Sequence, residues 1–264
     1  MLKVTMTPNL LGFKIAGDYD DLNELYDAVW ALSIADGDFP DDERMRGDDD
    51  ELIMSTRLLA LCYDIRHAYQ GARNIEFVSS GMNEWSAKSQ GLQLVEKNVS
   101  FSVEVLYPEA MYEALVLNYL VAKRANLLAG YSTYHLLLGD SEKVLFDENI
   151  CVVRTYVAKL LSAVAREATA GRYSRIRKEL GGEYHLIEGL YQQWVDVLNE
   201  EFVHMSRKQR AESLSVIVRD LAEYYRSVQY REMAADINRF ADQNGVLRDD
   251  VRIPGLYEWD EPEW

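Results

Sequence analysis

Between Val99 and Val105 the apolar residues alternate with Ser100, Ser102 and Glu104, the period of a strand with one wet face. The pattern predicts a strand over 98–106, and similar short runs predict strands over 2–7, 11–17 and 74–79. Thr7-Pro8-Asn9-Leu10 reads as the turn joining the first two. Gly17-Asp18-Tyr19-Asp20 then supplies capping residues for a helix over 20–34, where Leu22, Leu25, Val29 and Leu32 recur at helical spacing. A second helix ends near Gly71. It carries Leu52, Thr56, Leu59, Ala60 and Tyr63 on one side, while Leu58, Leu61, Cys62 and Ile65 spread further round. Such a helix is expected to be buried on more than one side. Residues 80–97, with their Ser and Gly, read as a surface loop.

From Pro108 the pattern turns helical, with helices predicted near 108–129, 131–138, 148–169, 172–180, 184–204, 207–226 and 229–243. In 148–169, Val153, Val157, Leu160, Leu161, Val164 and Ala168 face one way and Arg154, Lys159 and Arg166 another. Ser206-Arg207-Lys208-Gln209 fits a capping box, and Gly171, Gly181 and Gly245 read as helix stops. The fold class is α+β: an N-terminal ββααββ unit with a mostly antiparallel four-stranded sheet, followed by a larger all-helical region. The expected divisions are 1–107, 108–247 and an extended acidic-aromatic tail over 248–264, and the first two can share one core.

Leu61-Cys62-Tyr63-Asp64-Ile65-Arg66-His67-Ala68-Tyr69 runs into Ile75-Glu76-Phe77-Val78, and Lys97-Asn98-Val99-Ser100-Phe101 leads to Leu106-Tyr107-Pro108-Glu109. These stretches resemble an uncharacterised bacterial protein family of unknown function, over roughly residues 1–125. The resemblance implies no activity, cofactor or catalytic residue.

Charge narrows the partners. The chain of 264 residues has 44 acidic against 28 basic side chains, a net charge of −16. That opposes a phosphate backbone, whose binding rests on Lys/Arg neutralisation, and disfavours nucleic acid as a partner. The densest basic stretch, Arg172, Arg175, Arg177 and Lys178 with Arg166 upstream, reads as the solvated face of a short helix. The longest run without a charged residue, Ala125–Gly139, falls short of the about 20 apolar residues a membrane span needs. No secretory signal pattern opens the sequence, and Cys62 and Cys151 both sit in apolar helical patterns as small hydrophobes. A cytoplasmic location is expected.

Three features offer candidate chemistry. The connector from Asp36 to Glu51 holds nine carboxylates, a set of oxygen ligands of the kind Ca²⁺ takes, but its Gly37 falls too early for an EF-hand register. It is also similar, over about nine residues, to the Ala-Asp-Gly…Glu motif of tellurite-resistance-like helical proteins. That resemblance implies metal binding at the matching acids Asp36 and Glu43, beside Gly37, although Arg46-Gly47 interrupts the helix expected next. The plainer reading is a solvated loop that caps the following helix. Second, Asp64-Ile65-Arg66-His67 and Glu201-Phe202-Val203-His204 each place a carboxylate and an imidazole on one helix face, the unit from which carboxylate-bridged metal bundles are built. With 44 acids in 264 residues such spacing is common by composition alone, and a local Asp64–His67 pair is the simpler expectation. Third, the tail interleaves Tyr257, Trp259 and Trp264 with acids and prolines, which predicts an extended segment docked in a groove of its own chain or of a partner.

Gly-x-Ser-x-Gly, His-Glu-x-x-His, Gly-x-Gly-x-x-Gly and Walker-type loops do not occur. No cofactor is assigned. The expected function is that of a non-enzymatic interaction or regulatory protein, with a protein partner or a second copy of itself. The alternative is a metal-dependent enzyme using Asp64, His67, Glu201 and His204.

Overall fold

Branched and aromatic residues over the first 17 positions form two short strands, β1 (Lys3–Met6) and β2 (Gly12–Gly17). The structure, a computed structural model, describes residues 1–33, 49–128, 142–182, 190–253 and 264. Thr7 sets the β1–β2 turn, its hydroxyl oxygen accepting from the amides of Leu11 and Gly12, both at 3.1 Å. Helix α1 (Tyr19–Ser33) follows, then α2 (Asp49–His67), which loosens into a π-turn over Ala68–Ala72 where Gly71 takes φ +83°. Next come β3 (Asn74–Ser79), α3 (Glu84–Gln90) and β4 (Lys97–Leu106). The sheet is antiparallel throughout in the order β1-β2-β4-β3. A Cβ on Gly12 would lie 1.9 Å from the Val105 carbonyl oxygen, so glycine is what lets β2 close against β4.

The chain then passes straight from β4 into α4 (Tyr107–Leu128), followed by α5 (Glu142–Leu145), α6 (Glu148–Glu167), α7 (Ala170–Leu180), α8 (Tyr191–His204), α9 (Arg207–Ala222) and α10 (Val228–Asn244). The fold is α+β, a small sheet followed by helices. One buried apolar cluster runs from Phe13 and Ile15 on the sheet through Leu22, Met111 and Tyr156 to Trp194 and Ile237. Helix α6 buries Val153, Val157, Leu160 and Val164, the stripe its spacing predicts. The capping box at Ser206 and Gln209 is formed on both sides.

The structure departs from expectation where local signals compete. Residues 84–90 are helical, because Asn83 caps α3 through its side-chain oxygen on the Ser86 amide and Gly91 ends it at φ +65°. Over residues 57–67 of α2 the burial is one-sided: Leu58, Leu61, Cys62 and Ile65 are buried, while Ala60 and Tyr63 are exposed; the side chains of Leu52 and Thr56 lie outside those described. Gly171 opens α7 rather than stopping the previous helix, which ends at Glu167 with the Ala168 amide bonded back to Val164. Cys151, expected in the core, is exposed, its thiol directed at the Leu145 carbonyl 3.5 Å away. The connector expected from Asp36 to Glu51 lies outside the described residues as far as Asp48, with Asp49, Asp50 and Glu51 opening α2, and the helix expected over 131–138 and residues 184–189 lie outside them too.

Candidate interaction surface

From Tyr107 to Leu117 every residue of α4 except Glu109 is buried, yet the segment carries Glu109 and Glu113 one turn apart. Acids on so enclosed a helix need a cation from a neighbour, and Arg57 on α2 supplies it. Its Nε donates to Glu109 at 2.5 Å, one terminal nitrogen donates to Asp196 on α8 at 2.6 Å, and the other to the Gln192 carbonyl at 3.0 Å. Asn199 completes the group by donating to Glu109 at 2.8 Å. Burial works against the guanidinium charge, but the hydrogen bond and charge of Glu109, then those of Asp196, outweigh it and raise the Arg57 pKa. The arrangement clamps α2, α4 and α8 together and turns all of these contacts inward.

Glu113 is 2% exposed and its Oε2 has no hydrogen-bond partner. Burial, reinforced by the nearby Glu109 charge and only partly opposed by Arg57, pushes its carboxyl well above the usual range and keeps it protonated. The folded chain therefore holds a proton that an unfolded one, with a carboxyl pKa of about 4.3, releases. This group's contribution to stability is complete below that pH and drains away as pH climbs through the raised value. Glu113→Gln is expected to stabilise the protein by an increment that grows with pH and vanishes toward pH 4. Urea midpoints at several pH values check it, and parallel curves for the two proteins would refute it. Burial likewise acts on Cys62, whose thiol is pushed up to about 12, with help from the Asp27 charge. A thiol so placed is inert at neutral pH.

The outward-facing feature is the β3–β4 hairpin. Val103 and Val105 of β4 are buried opposite Ile15 and Phe13, which fixes that side of the sheet as the inner one. By strand alternation Ile75 and Phe77 of β3, with Val99 and Phe101 of β4, share that side. Here the apolar face outruns its cover: Phe77 is 69% exposed, and Ile75 and Val99 are exposed too. The connection closing the hairpin adds Trp85, 78% exposed, with Leu92 and Val95. The edge is open as well. On the far side of the sheet β1 lies under α6, with Lys159 donating to the Leu2 carbonyl at 2.7 Å, but among the described residues β3 pairs only with β4. Sequence reasoning identified the strands and missed the surface, because Ile75 and Phe77 look like any core-facing pair until the helices are placed.

A model of a domain of unknown function, DUF6904, matches residues 2–264. The chain belongs to the DUF6904 family. The match covers nearly the whole length, well past the 125 residues over which the resemblance was legible. The chain matches no curated protein and no solved structure.

In this DUF6904 chain the residues singled out by spacing have local partners. Asp64 pairs with Arg73 at 2.6 Å rather than with His67, whose ring lies 4.1 Å from that of Tyr63. Glu201 accepts from Gln229 on α10, and His204 is the last residue of α8. Among the described residues no group of three or more His, Cys, Asp or Glu is gathered as a metal ion would need. None of the helices described is long and apolar enough to cross a membrane. Tyr257 and Trp259 lie outside the described residues. Trp264 is half-buried against the core, its carbonyl oxygen accepting from the side-chain Nδ2 of Asn9 at 3.5 Å. At the start of the tail, Gln193 brackets the chain by donating to the Val251 carbonyl and accepting from the Ile253 amide. Val251 and Ile253 there line an apolar groove of about 340 Å³ with Met233, Ile237 and Phe240 of α10.

Proposed function

We propose that this protein works by binding another polypeptide, through addition of a strand to β3 and contact with the apolar face beside it. The observation that carries the reading is the open β3 edge joined to an exposed, inward-type apolar face at Phe77. Exposed edges are ordinarily guarded by a proline, an inward-pointing charge or a covering element. β3 reads Asn-Ile-Glu-Phe-Val-Ser, and its one charge, Glu76, is engaged by Lys14 on its own sheet. Main-chain hydrogen bonds would supply affinity and the apolar face would select branched or aromatic side chains at alternate positions. The net charge of −16 favours a partner whose docking face is neutral or basic.

Amide exchange tests this. The Ser80 amide bonds the Glu96 carbonyl, so strand alternation turns the amides of Ile75, Phe77 and Ser79 toward the open edge. At high dilution these three are expected to exchange freely, and to slow when an extended peptide of alternating polar and branched apolar residues is added. If they stay fast with every peptide in such a panel and at every protein concentration, the reading fails.

A further inference from the structure

We infer that the occupant of the β3 edge is a second copy of this chain, paired antiparallel about a two-fold axis through Phe77, so that two four-stranded sheets become one. The inference rests on the strand-addition reading and names its partner.

Self-complementarity decides the register. A two-fold axis perpendicular to the sheet sets each β3 residue opposite its symmetry mate and keeps both apolar faces on the same side. Centring it on Glu76 would oppose two carboxylates, an arrangement that destabilises a strand pair. Centring it on Phe77 opposes the two Phe77 rings, sets Ile75 across from Ser79 and sets Glu76 across from Val78. In that register the outward N–H and C=O groups of Ile75, Phe77 and Ser79 meet their counterparts, giving about six hydrogen bonds.

Area and charge agree with a like partner. The exposed parts of Ile75, Phe77, Trp85, Leu92, Val95 and Val99 amount to something on the order of 600 Å², against about 800 Å² per partner in a standard interface. Backbone and polar contact at the edge supplies the difference. Two chains of charge −16 repel at most orientations, so a shared face must be close to neutral. The hairpin comes near that condition: Glu76, Glu84, Glu96 and Glu104 stand against Lys88 and Lys97, and Lys14 of β2 offsets Glu76, which leaves an excess of one acid.

Sedimentation equilibrium on the full chain is the test, since the monomer mass is 30.4 kDa. The wild-type chain is expected to run at twice that mass with a concentration dependence. Phe77→Asp, at a site already 69% exposed and so harmless to the fold, is expected to weaken association by about 30-fold or more. Ile75→Pro removes one outward N–H while leaving the apolar face nearly intact, and should weaken it as well. Register is read by Phe77→Cys in a Cys151→Ser background treated with oxidised glutathione. Residues on the axis sit about 5.5 Å apart between Cα atoms, within reach of a disulfide, so a covalent dimer should form. Glu76→Cys, facing Val78 of the other copy, should not self-link. A chain monomeric at every concentration, or a dimer indifferent to both edge substitutions, overturns the inference. In either case peptide-induced protection of the β3 amides still decides separately whether strands add there at all.

Discussion

Replacing Arg57 by Ala is expected to cost about 3–5 kcal/mol, the range found when one member of a buried ion pair is removed. Arg57 is 13% exposed, and the side chains it serves, Glu109 and Asp196, are 18% and 8% exposed. Water can do little to compensate the two carboxylates it would leave behind. The Gln192 carbonyl would lose its donor too, and with it a tie between α2 and α8. The expected rescue separates this account from simple loss of packing. Adding Glu109→Gln and Asp196→Asn to Arg57→Ala should recover a large part of the loss, because a neutral cluster needs no cation. Urea unfolding of the single and combined variants measures both. A cost under about 1 kcal/mol would place the cluster with ordinary surface pairs. Added salt should change the Arg57 effect little, since screening acts mainly on exposed charges.

Tyr107→Ala is expected to cost a similar 3–5 kcal/mol, for a different reason. The ring is fully buried between Phe13 of the sheet and Phe202 of α8, with centroids 5.7 and 5.5 Å away, and its hydroxyl donates to the Leu214 carbonyl of α9. Its amide donates to the Leu11 carbonyl at 2.9 Å. Tyr107→Phe keeps the stacking and should lose only about 1 kcal/mol for the hydrogen bond. A side chain shared in this way ties the sheet to the helices, so both are expected to melt in one transition by far-ultraviolet circular dichroism and tryptophan fluorescence. Two separate transitions would mean that the division expected at 107 marks two independent units.

What the sequence revealed follows from which residues carry one message. Val99 to Val105 alternate because one face is wet and the other buried, so the strand is legible with no knowledge of its neighbours. The capping box at Ser206 and the stripe on α6 are local in the same sense. Helix α3 had its signals in Asn83 and Gly91, outweighed by the Ser and Gly around them. Cys151 shows the limit of periodicity: it sits in an apolar run, one residue off the buried Ile150. The Arg57 cluster had a trace in the sequence, two acids one turn apart in a helix with almost no polar face, but the cation that answers Glu109 is 52 residues away. The open edge had none. The order β1-β2-β4-β3 is a tertiary fact, and it is that order that leaves β3 outermost.

That strand order also sets a sequence of events during synthesis. β2 pairs with β4 from Gly12 against Leu106 to Gly17 against Phe101, a loop of more than eighty residues that must be closed before the sheet gains its centre. Until Leu106 has been added, the first seventeen residues amount to an isolated two-stranded hairpin, which is marginally stable in water. Phe13 and Ile15 stay wet for as long as translation takes to cover that distance. A ribosome stalled ahead of Leu106 therefore holds a nascent chain with an apolar hairpin and no sheet to receive it, the kind of surface that draws chaperones or aggregates.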